Sequence, residues 1–159
     1  MGGDIAQWNE WNYESELQWD LLQWDTHRGV QRLVADLNAL YRREPALHRL
    51  DFDWHGFEWI DCHSHDDSVL SFLRKAPDAD DFLLVCCNFT PVVRHGYRIG
   101  TPRGGWYQEI LNTDSQYYGG SNVGNYPGVM AEQPGAHGRP FCVRITLPPL
   151  AMLVFKPQR

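Results

Sequence analysis

The sequence is poor in cysteine, which bears on where the protein folds. Its 159 residues include only four: Cys62, Cys86, Cys87 and Cys142. These are too few and too irregularly spaced for the disulfide framework of a small secreted domain. Two of them lie in the apolar run FLLVCCNF, where free cysteine behaves as a small buried hydrophobic residue. We therefore expect all four thiols to be reduced.

Basic charge and long apolar runs are also scarce. Lys and Arg number 14 against 20 Asp and Glu, a net charge of −6, and no basic stripe with interleaved aromatic residues is present. This argues against a nucleic-acid partner. No segment approaches the roughly 18 apolar residues that a membrane helix needs. The start, MGGDIAQWNE, has neither the basic residues nor the apolar stretch of a secretory signal. We expect a cytoplasmic protein with no membrane or nucleic-acid partner.

A pair of reactive carboxyl groups is not recognisable either. Cleaving a glycosidic bond with retention requires two carboxyl groups about 5–5.5 Å apart. The candidate carboxylates form no convincing constellation at strand ends and are explained as solvated faces, caps and turns: Asp4, Glu10, Glu14, Glu16, Asp20, Asp25 and Glu58. We predict no catalytic residue in this chain.

One cluster contains residue types that bind metals, DCHSHDD at 61–67. Its spacing fits no closed four-ligand zinc pattern, so a turn between strands, rich in Asp and Ser, explains it more simply. The glycine-rich segments GTPRGG (100–105) and GGS (119–121) do not open a helix, as a phosphate-binding loop would. We predict no metal site and no cofactor.

Tryptophan, by contrast, is abundant. Four of the seven tryptophans lie within the first 24 residues: Trp8, Trp11, Trp19 and Trp24. A small core rarely needs so many large rings, because each indole must also satisfy its N–H group. Flat aromatic faces suit the C–H face of a sugar ring. Carbohydrate binding and buried packing both remain open from this pattern.

Residues 1–50 contain one clear amphipathic helix. Asp25 or Thr26 is the predicted N-cap, and Arg42 and Arg43 before Pro45 predict the end. Apolar residues follow the helical period: Val30, Leu33, Val34, Leu37, Leu40 and Tyr41. Nothing else in this segment could cover them. We expect the helix to need a partner surface.

Residues 51–159 indicate an antiparallel β-sandwich of about 100 residues, because short apolar runs alternate with turn signals. The predicted strands are Phe57–Ile60, Ser68–Arg74, Phe82–Phe89, Tyr97–Gly100, Gly105–Leu111, Phe141–Leu147 and Leu150–Phe155. Between Asn112 and Arg139 the composition predicts a long ordered surface loop, with Tyr117, Tyr118 and Tyr126 as anchors.

Several segments are more specific than these patterns. MGGDIAQWNEWN, HRGVQRLVADLNALYRREPALHRLD, GFEWIDCHSHDDSVLSFLR, CNFTPVVRHGYRIG, GGWYQEILNTDSQYYGGSNVGN and HGRPFCVRITLPPLAMLVFKP follow one another in this order. Together they resemble the carboxy-terminal region of bacterial 1,4-alpha-glucan (glycogen) branching enzymes of the alpha-amylase clan. The resemblance covers essentially the whole chain. Asp4 departs from the pattern, since the family usually has Glu there.

The resemblance implies a division of the chain. Residues 1–50 would be the last strand-end loop and last helix of a (β/α)8 catalytic barrel, and residues 51–159 an all-β sandwich. The family transfers α-1,4-glucan chains to 6-hydroxyl groups with retention. Its catalytic acids lie on earlier barrel strands, so none is carried over to this chain, which we expect to be inactive alone. The implied partners are α-glucan (glycogen or maltodextrin) and the upstream barrel.

Trp59 is the first candidate for glucan contact. In GFEWI, alternation places Phe57 and Trp59 on one face of a strand. Trp24, Trp8 and Trp11 are further substrate-binding candidates, because the strand-end loops of a barrel surround its active site. Each ring could instead pack against the barrel. The alternatives for the chain are therefore a free-standing glucan-binding module and a purely structural domain.

Overall fold

The computed structural model describes residues 1–158, with one α-helix and eight strands. Short 3-10 turns occupy Gly3–Ile5, Trp19–Gln23, Pro45–Leu47, Trp54–Gly56 and Gln116–Tyr118. The longer elements are α1 (Asp25–Arg43), β1 (Phe57–Ser64), β2 (Val69–Lys75), β3 (Phe82–Asn88), β4 (Arg94–Thr101), β5 (Gly105–Asn112), β6 (Gly128–Glu132), β7 (Phe141–Leu147) and β8 (Ala151–Pro157).

All eight strands belong to one antiparallel sheet in the order β1-β2-β3-β8-β5-β6-β7-β4. The sheet curls until its two outer strands meet, where the Ser64 and Tyr97 hydroxyl oxygens lie 3.0 Å apart. Its inner face forms one buried core from strands of both halves, including Leu84, Ile99, Tyr107, Val143 and Phe155. The predicted mainly β, antiparallel sandwich is confirmed, and a single sheet makes both layers.

Each of the seven predicted strands is present. β1 and β4 are each four residues longer than predicted, and the bounds of the other five differ from the prediction by at most two residues. The exception to the sequence-based assignment is β6, which lies within the predicted 112–139 loop. Its five residues, GVMAE, follow a Gly- and Asn-rich stretch and carry only a short apolar pattern. They become a strand because β5 and β7 supply hydrogen-bonding partners on both sides.

The N-cap of helix α1 lies one residue before the two predicted positions, Asp25 and Thr26. Trp24 occupies the N-cap position with φ −95° and ψ 136°, and its side chain makes no capping hydrogen bond, so the assignment of Asp25 or Thr26 as N-cap is wrong. The predicted end at Arg43 is confirmed. Glu44 is extended there, as expected for a residue that precedes proline.

The outer face of the sheet supplies part of the partner surface that α1 was expected to need. Leu33, Leu37 and Leu40 pack against the outer face of the sheet, in a second core with Leu83, Val85, Leu111 and Val154. The neighbouring stripe does not join that core: Val30 and Val34 are half-buried, and Tyr41 is 47% exposed. The sandwich therefore supplies part of the partner surface, and one apolar stripe stays accessible.

Of the three tyrosines predicted to anchor the 112–139 loop, only Tyr118 does so. Its hydroxyl donates to Asp36 of α1 at 2.6 Å. Tyr117 and Tyr126 are 71% and 85% exposed, so their assignment as anchors is wrong. The loop is held instead by the buried Asp114, whose carboxylate accepts hydrogen bonds from Ser121 and Val123.

Candidate functional site

Trp59 lies in a cluster of three aromatic rings on the outer face of the sheet. The alternation in β1 puts Phe57 and Trp59 on the same side, and cross-strand pairing places Phe72 of β2 directly opposite Trp59. The Phe57 and Trp59 centroids lie 4.8 Å apart, and that of Phe72 lies 5.1 Å from Phe57 and 5.8 Å from Trp59. Trp59 remains 48% exposed. We call Phe57, Trp59 and Phe72 the aromatic platform.

The opposite side of β1 fixes the platform in place. Ile60 packs against the inner core. Glu58 accepts a hydrogen bond from Lys75 at 2.8 Å and another from Arg139. The Lys75 hydrogen bond, assisted by Arg139, holds the pKa of Glu58 below its usual value despite partial desolvation. Arg139 also donates to the Trp59 carbonyl at 3.3 Å, so the strand is held through both side chain and backbone.

The amino-terminal tryptophans lie on a different surface. Trp8 is 77% exposed and meets the edge of His27 with a centroid distance of 5.7 Å. Trp11 is 65% exposed and lies against Tyr13 at 5.5 Å. Trp24 is 59% exposed at the start of α1. The rings project from the chain, as a binding surface or an unfilled interface requires.

Hydrogen bonds and buried side chains hold the amino-terminal segment against α1. Ile5 is fully buried, and its carbonyl lies 2.8 Å from Nδ1 of the buried His27. The Gln18 side-chain oxygen accepts from the backbone of Trp8 and Asn9, both at 3.1 Å, and the Gln18 backbone donates to Gln7. These bonds close a loop of roughly ten residues on the amino end of α1.

The four predicted sugar-contact residues are not brought into one cluster. Trp59 contacts Phe57 and Phe72, whereas Trp8 and Trp11 contact other partners, and within residues 1–158 no ring contact joins the two surfaces. Sequence reasoning missed Phe72, because β1–β2 register cannot be read from one strand. Alternation in SVLSFLR places Phe72 on the opposite face of its strand from Ser71 and Leu73. It does not predict which ring of another strand Phe72 contacts.

Two of the seven carboxylates considered from the sequence, Asp25 and Glu58, form ion pairs within residues 1–158. Glu58 pairs with two cations, and Asp25 forms an ion pair with Arg28. A different acidic pair, Glu44 and Asp81, faces Lys156, and Glu44 is 4% exposed. Within residues 1–158, no group of three or more His, Cys, Asp and Glu side chains is arranged to hold a metal ion.

The segment at 61–67 is partly strand. Asp61, Cys62 and His63 lie within β1, and a turn at 65–68 leads to β2. Asp67 binds Arg94 and so helps to join the two edges of the sheet. The predicted turn is therefore shorter than the cluster.

None of the helices formed by residues 1–158 has the length and apolar character needed to cross a membrane.

Residues 59–158 match the family described as "Alpha amylase, C-terminal all-beta domain". The match covers most of the chain and all but the first two residues of the sheet, so the protein belongs to this family. It therefore contains an amylase-type all-β carboxy-terminal domain.

The particular enzymes it resembles are named alike: "1,4-alpha-glucan branching enzyme GlgB". The chain is 57% identical to that of Cereibacter sphaeroides over 157 residues, 54% to that of Rhodopirellula baltica over 156 and 51% to that of Aquifex aeolicus over 156. These alignments cover 98–99% of this chain but only 21–25% of the relatives' length. The resemblance to the carboxy-terminal region of glycogen branching enzymes is confirmed.

Proposed function

We propose that this chain acts as the carboxy-terminal part of a glycogen branching enzyme, which transfers α-1,4-glucan chains to 6-hydroxyl groups with retention. The observation that carries the proposal is identity above 50% along 98% of the chain to enzymes of that name. The carboxyl groups that do the chemistry belong to an upstream barrel. The whole enzyme works in the cytoplasm and needs no cofactor.

Within that enzyme, residues 1–50 complete the barrel and residues 51–159 form the sandwich beside it. The two apolar stripes of α1 support this division. Leu33, Leu37 and Leu40 already pack on the sandwich, whereas Val30, Val34 and Tyr41 leave a second stripe accessible. A helix with two apolar sides suits a position between two bodies. The sandwich thus stabilises the barrel by holding its last helix.

The chain also contributes a glucan contact through the aromatic platform. Its rings are fixed by strand pairing and edge-to-face packing, so little side-chain freedom is lost when a sugar ring stacks on Trp59. By analogy with base stacking, one aromatic ring contributes about 1–3 kcal/mol. Binding to one platform is therefore weak, with a dissociation constant of about a millimolar or higher, and becomes useful on a polymer with many equivalent chain ends.

Affinity electrophoresis in gels that contain glycogen tests this contact. We expect the chain to be retarded, and the Trp59→Ala variant to lose most of the retardation. Trp59→Phe should retain part of it, because a smaller aromatic face remains. Trp19→Ala is the matched control, since Trp19 is 54% exposed and is not assigned to the site. Unchanged mobility of Trp59→Ala would instead favour a purely structural role for the platform.

Trp8, Trp11 and Trp24 are proposed as weaker contacts near the mouth of the barrel. Single alanine variants of these residues should reduce retardation less than Trp59→Ala, because the barrel completes their surface.

A branching assay tests where the chemistry resides. Incubation of the chain with amylose should produce no new α-1,6 linkages by proton NMR. Formation of such linkages would show that this chain carries its own catalytic carboxyl groups, contrary to the proposal.

A further inference from the structure

A second surface feature lies away from the aromatic platform, at the end of β5. It is an open groove of about 700 Å³, bounded by the Gln116–Tyr118 turn and the segment that leads to Tyr126. The volume is within the range of about 300–1,000 Å³ that small-molecule sites occupy. Tyr117 and Tyr126 line it, together with the carboxyl group of Glu109. None of the predicted contact residues lines this groove.

The loops around the groove are ordered by their own hydrogen bonds. The Asp114 carboxylate accepts from the Ser121 backbone and hydroxyl at 2.9 and 2.6 Å and from the Val123 backbone at 3.0 Å. Asn125 exchanges two hydrogen bonds with Thr146 of β7 at 3.0 and 2.7 Å. The groove is therefore preformed, which lowers the entropic cost of binding.

The exposure of two of its tyrosines has no explanation in packing. Tyr118 shows the structural use of a tyrosine here, since it is half-buried and its hydroxyl donates to Asp36. Tyr117 and Tyr126 are 71% and 85% exposed, and their hydroxyl groups make no hydrogen bond within residues 1–158. Large aromatic faces held open to solvent beside a groove are typical of sites that bind flat, partly apolar ligands.

The polar groups of the groove retain unused hydrogen-bonding capacity. Asn125 donates to Glu109 through its backbone and side chain, but both bonds go to Oε2, at 2.7 and 3.3 Å. In the described structure Oε1 accepts none. Burial raises the pKa of Glu109, and the bonds from Asn125 oppose that shift. Asn122 accepts at its side-chain oxygen from the Gln116 backbone, and its amide nitrogen is unpaired among residues 1–158.

Gly124 keeps the acidic group accessible. A Cβ atom at this position would lie 2.4 Å from the Asn112 amide nitrogen and 3.2 Å from both Glu109 oxygens. Any side chain here would displace Asn112, whose amide donates to the Val123 carbonyl at 2.8 Å and so helps to shape the loop.

We propose that this groove is an accessory binding site for a short linear α-glucan segment, separate from the aromatic platform. Tyr117 and Tyr126 stack on the C–H faces of sugar rings, Glu109 Oε1 accepts from a sugar hydroxyl, and the Asn122 amide donates to another. A neutral polyhydroxyl ligand fits because the groove combines aromatic faces with acceptors and donors, and its carboxyl group repels anions. The identity of the ligand rests on the proposed function.

Maltohexaose titrations of a Trp59→Ala background, followed by proton NMR of the aromatic side chains, isolate this site from the platform. We expect the Tyr117 and Tyr126 ring signals to shift with saturation in the millimolar range. Adding Tyr117→Ala or Tyr126→Ala should weaken binding about fivefold or more, if stacking on Tyr resembles base stacking. Adding Phe89→Ala should leave binding unchanged, since Phe89 is 59% exposed and does not line the groove.

Glu109→Gln separates recognition from folding, because the amide keeps an oxygen that accepts from Asn125. It should weaken maltohexaose binding while leaving the amide spectrum of the fold intact. The proposal is overturned if the Tyr117 and Tyr126 signals do not move, or if the double variants bind as the background does. If Trp59→Ala loses glycogen retardation and maltohexaose does not shift the Tyr117 and Tyr126 signals, the groove site is excluded and the proposed function is still supported. Retardation that persists both in Trp59→Ala and in the double variants would overturn both glucan contacts.

Discussion

The sandwich and the amino-terminal segment use aromatic residues in opposite ways. From β1 to β8, Phe82, Tyr107 and Phe155 are almost completely buried in a core to which both halves of the sheet contribute. In residues 1–24, Ile5 and Leu21 are the buried apolar side chains, and every tryptophan is more than half exposed. The sandwich buries the rings of its core and exposes others only at its surface, at the aromatic platform and the groove among other places. The amino-terminal segment leaves its large rings exposed, as a binding surface or an interface would.

The largest expected loss of stability comes from a substitution in the sandwich core. Phe155→Ala should lower the free energy of unfolding by about 3–5 kcal/mol, because Phe155 is fully buried between the two halves of the sheet. Urea unfolding monitored by circular dichroism measures the loss. Val92→Ala is the control: Val92 is 55% exposed, and its change should stay within about 0.5 kcal/mol. Equal effects of the two would contradict the assigned core.

The helix between the two regions offers a sharper test, since its two stripes should differ. Leu40→Ala should cost about 2–4 kcal/mol, because Leu40 is 4% exposed against the outer face of the sheet. Val34→Ala should cost less than about 1 kcal/mol, since this side chain is only half-buried. The same urea experiment compares them. Similar losses would mean that the sandwich covers both stripes.

Gly29 of α1 lies directly against the backbone of the 112–139 loop at Tyr118. Replacing glycine by alanine within a helix ordinarily gains about 0.8–1 kcal/mol. At Gly29 the added Cβ would lie 2.3 Å from the Tyr118 carbonyl oxygen, so we expect a loss of about 1–3 kcal/mol instead. Thermal unfolding of Gly29→Ala gives the sign. Asn38→Ala, on the exposed side of α1, should slightly raise the melting temperature. A rise for both variants would contradict the close contact.

The smallest expected effect depends on pH and concerns the strand beneath the platform. Because the pKa of Glu58 is lowered, its ion pairs stabilise the fold above the unfolded value of 4.5, and this contribution disappears as pH falls through the lowered folded value. Glu58→Gln should therefore destabilise at pH 7 and approach wild type near pH 3. Its side chain is 41% exposed, so the difference should be below about 1 kcal/mol. Glu132→Gln is the control and should change stability little, because this exposed residue forms no ion pair within residues 1–158.

The strand pattern was largely readable from sequence, because apolar alternation between turn signals is a local property. The sequence did not predict which distant segments pair with one another. β6 exists only because β5 and β7 flank it. Likewise, periodicity gave the apolar face of α1 as one surface, whereas the sheet divides it into a covered stripe with Leu40 and an open one with Val34.

The candidate site was predictable only in part, for the same reason. Alternation in GFEWI set Phe57 and Trp59 on one face, but Phe72 joined them through strand register. The exposed tyrosines of the groove were mistaken for anchors, because composition does not distinguish a ring that packs from one that projects. Their surroundings come from loops closed by Asp114, a long-range arrangement that no local pattern encodes.

The hydrogen bond from Tyr118 to Asp36 joins two parts of the chain that are 82 positions apart. Desolvation and the adjacent carboxylate together raise the pKa of Tyr118 well above its usual value, so the phenol keeps its proton throughout the physiological range. Tyr117, the next residue, lines the groove. This bond and the one that Arg32 of α1 donates to the Tyr117 carbonyl at 3.5 Å therefore fix one rim of the groove relative to the helix.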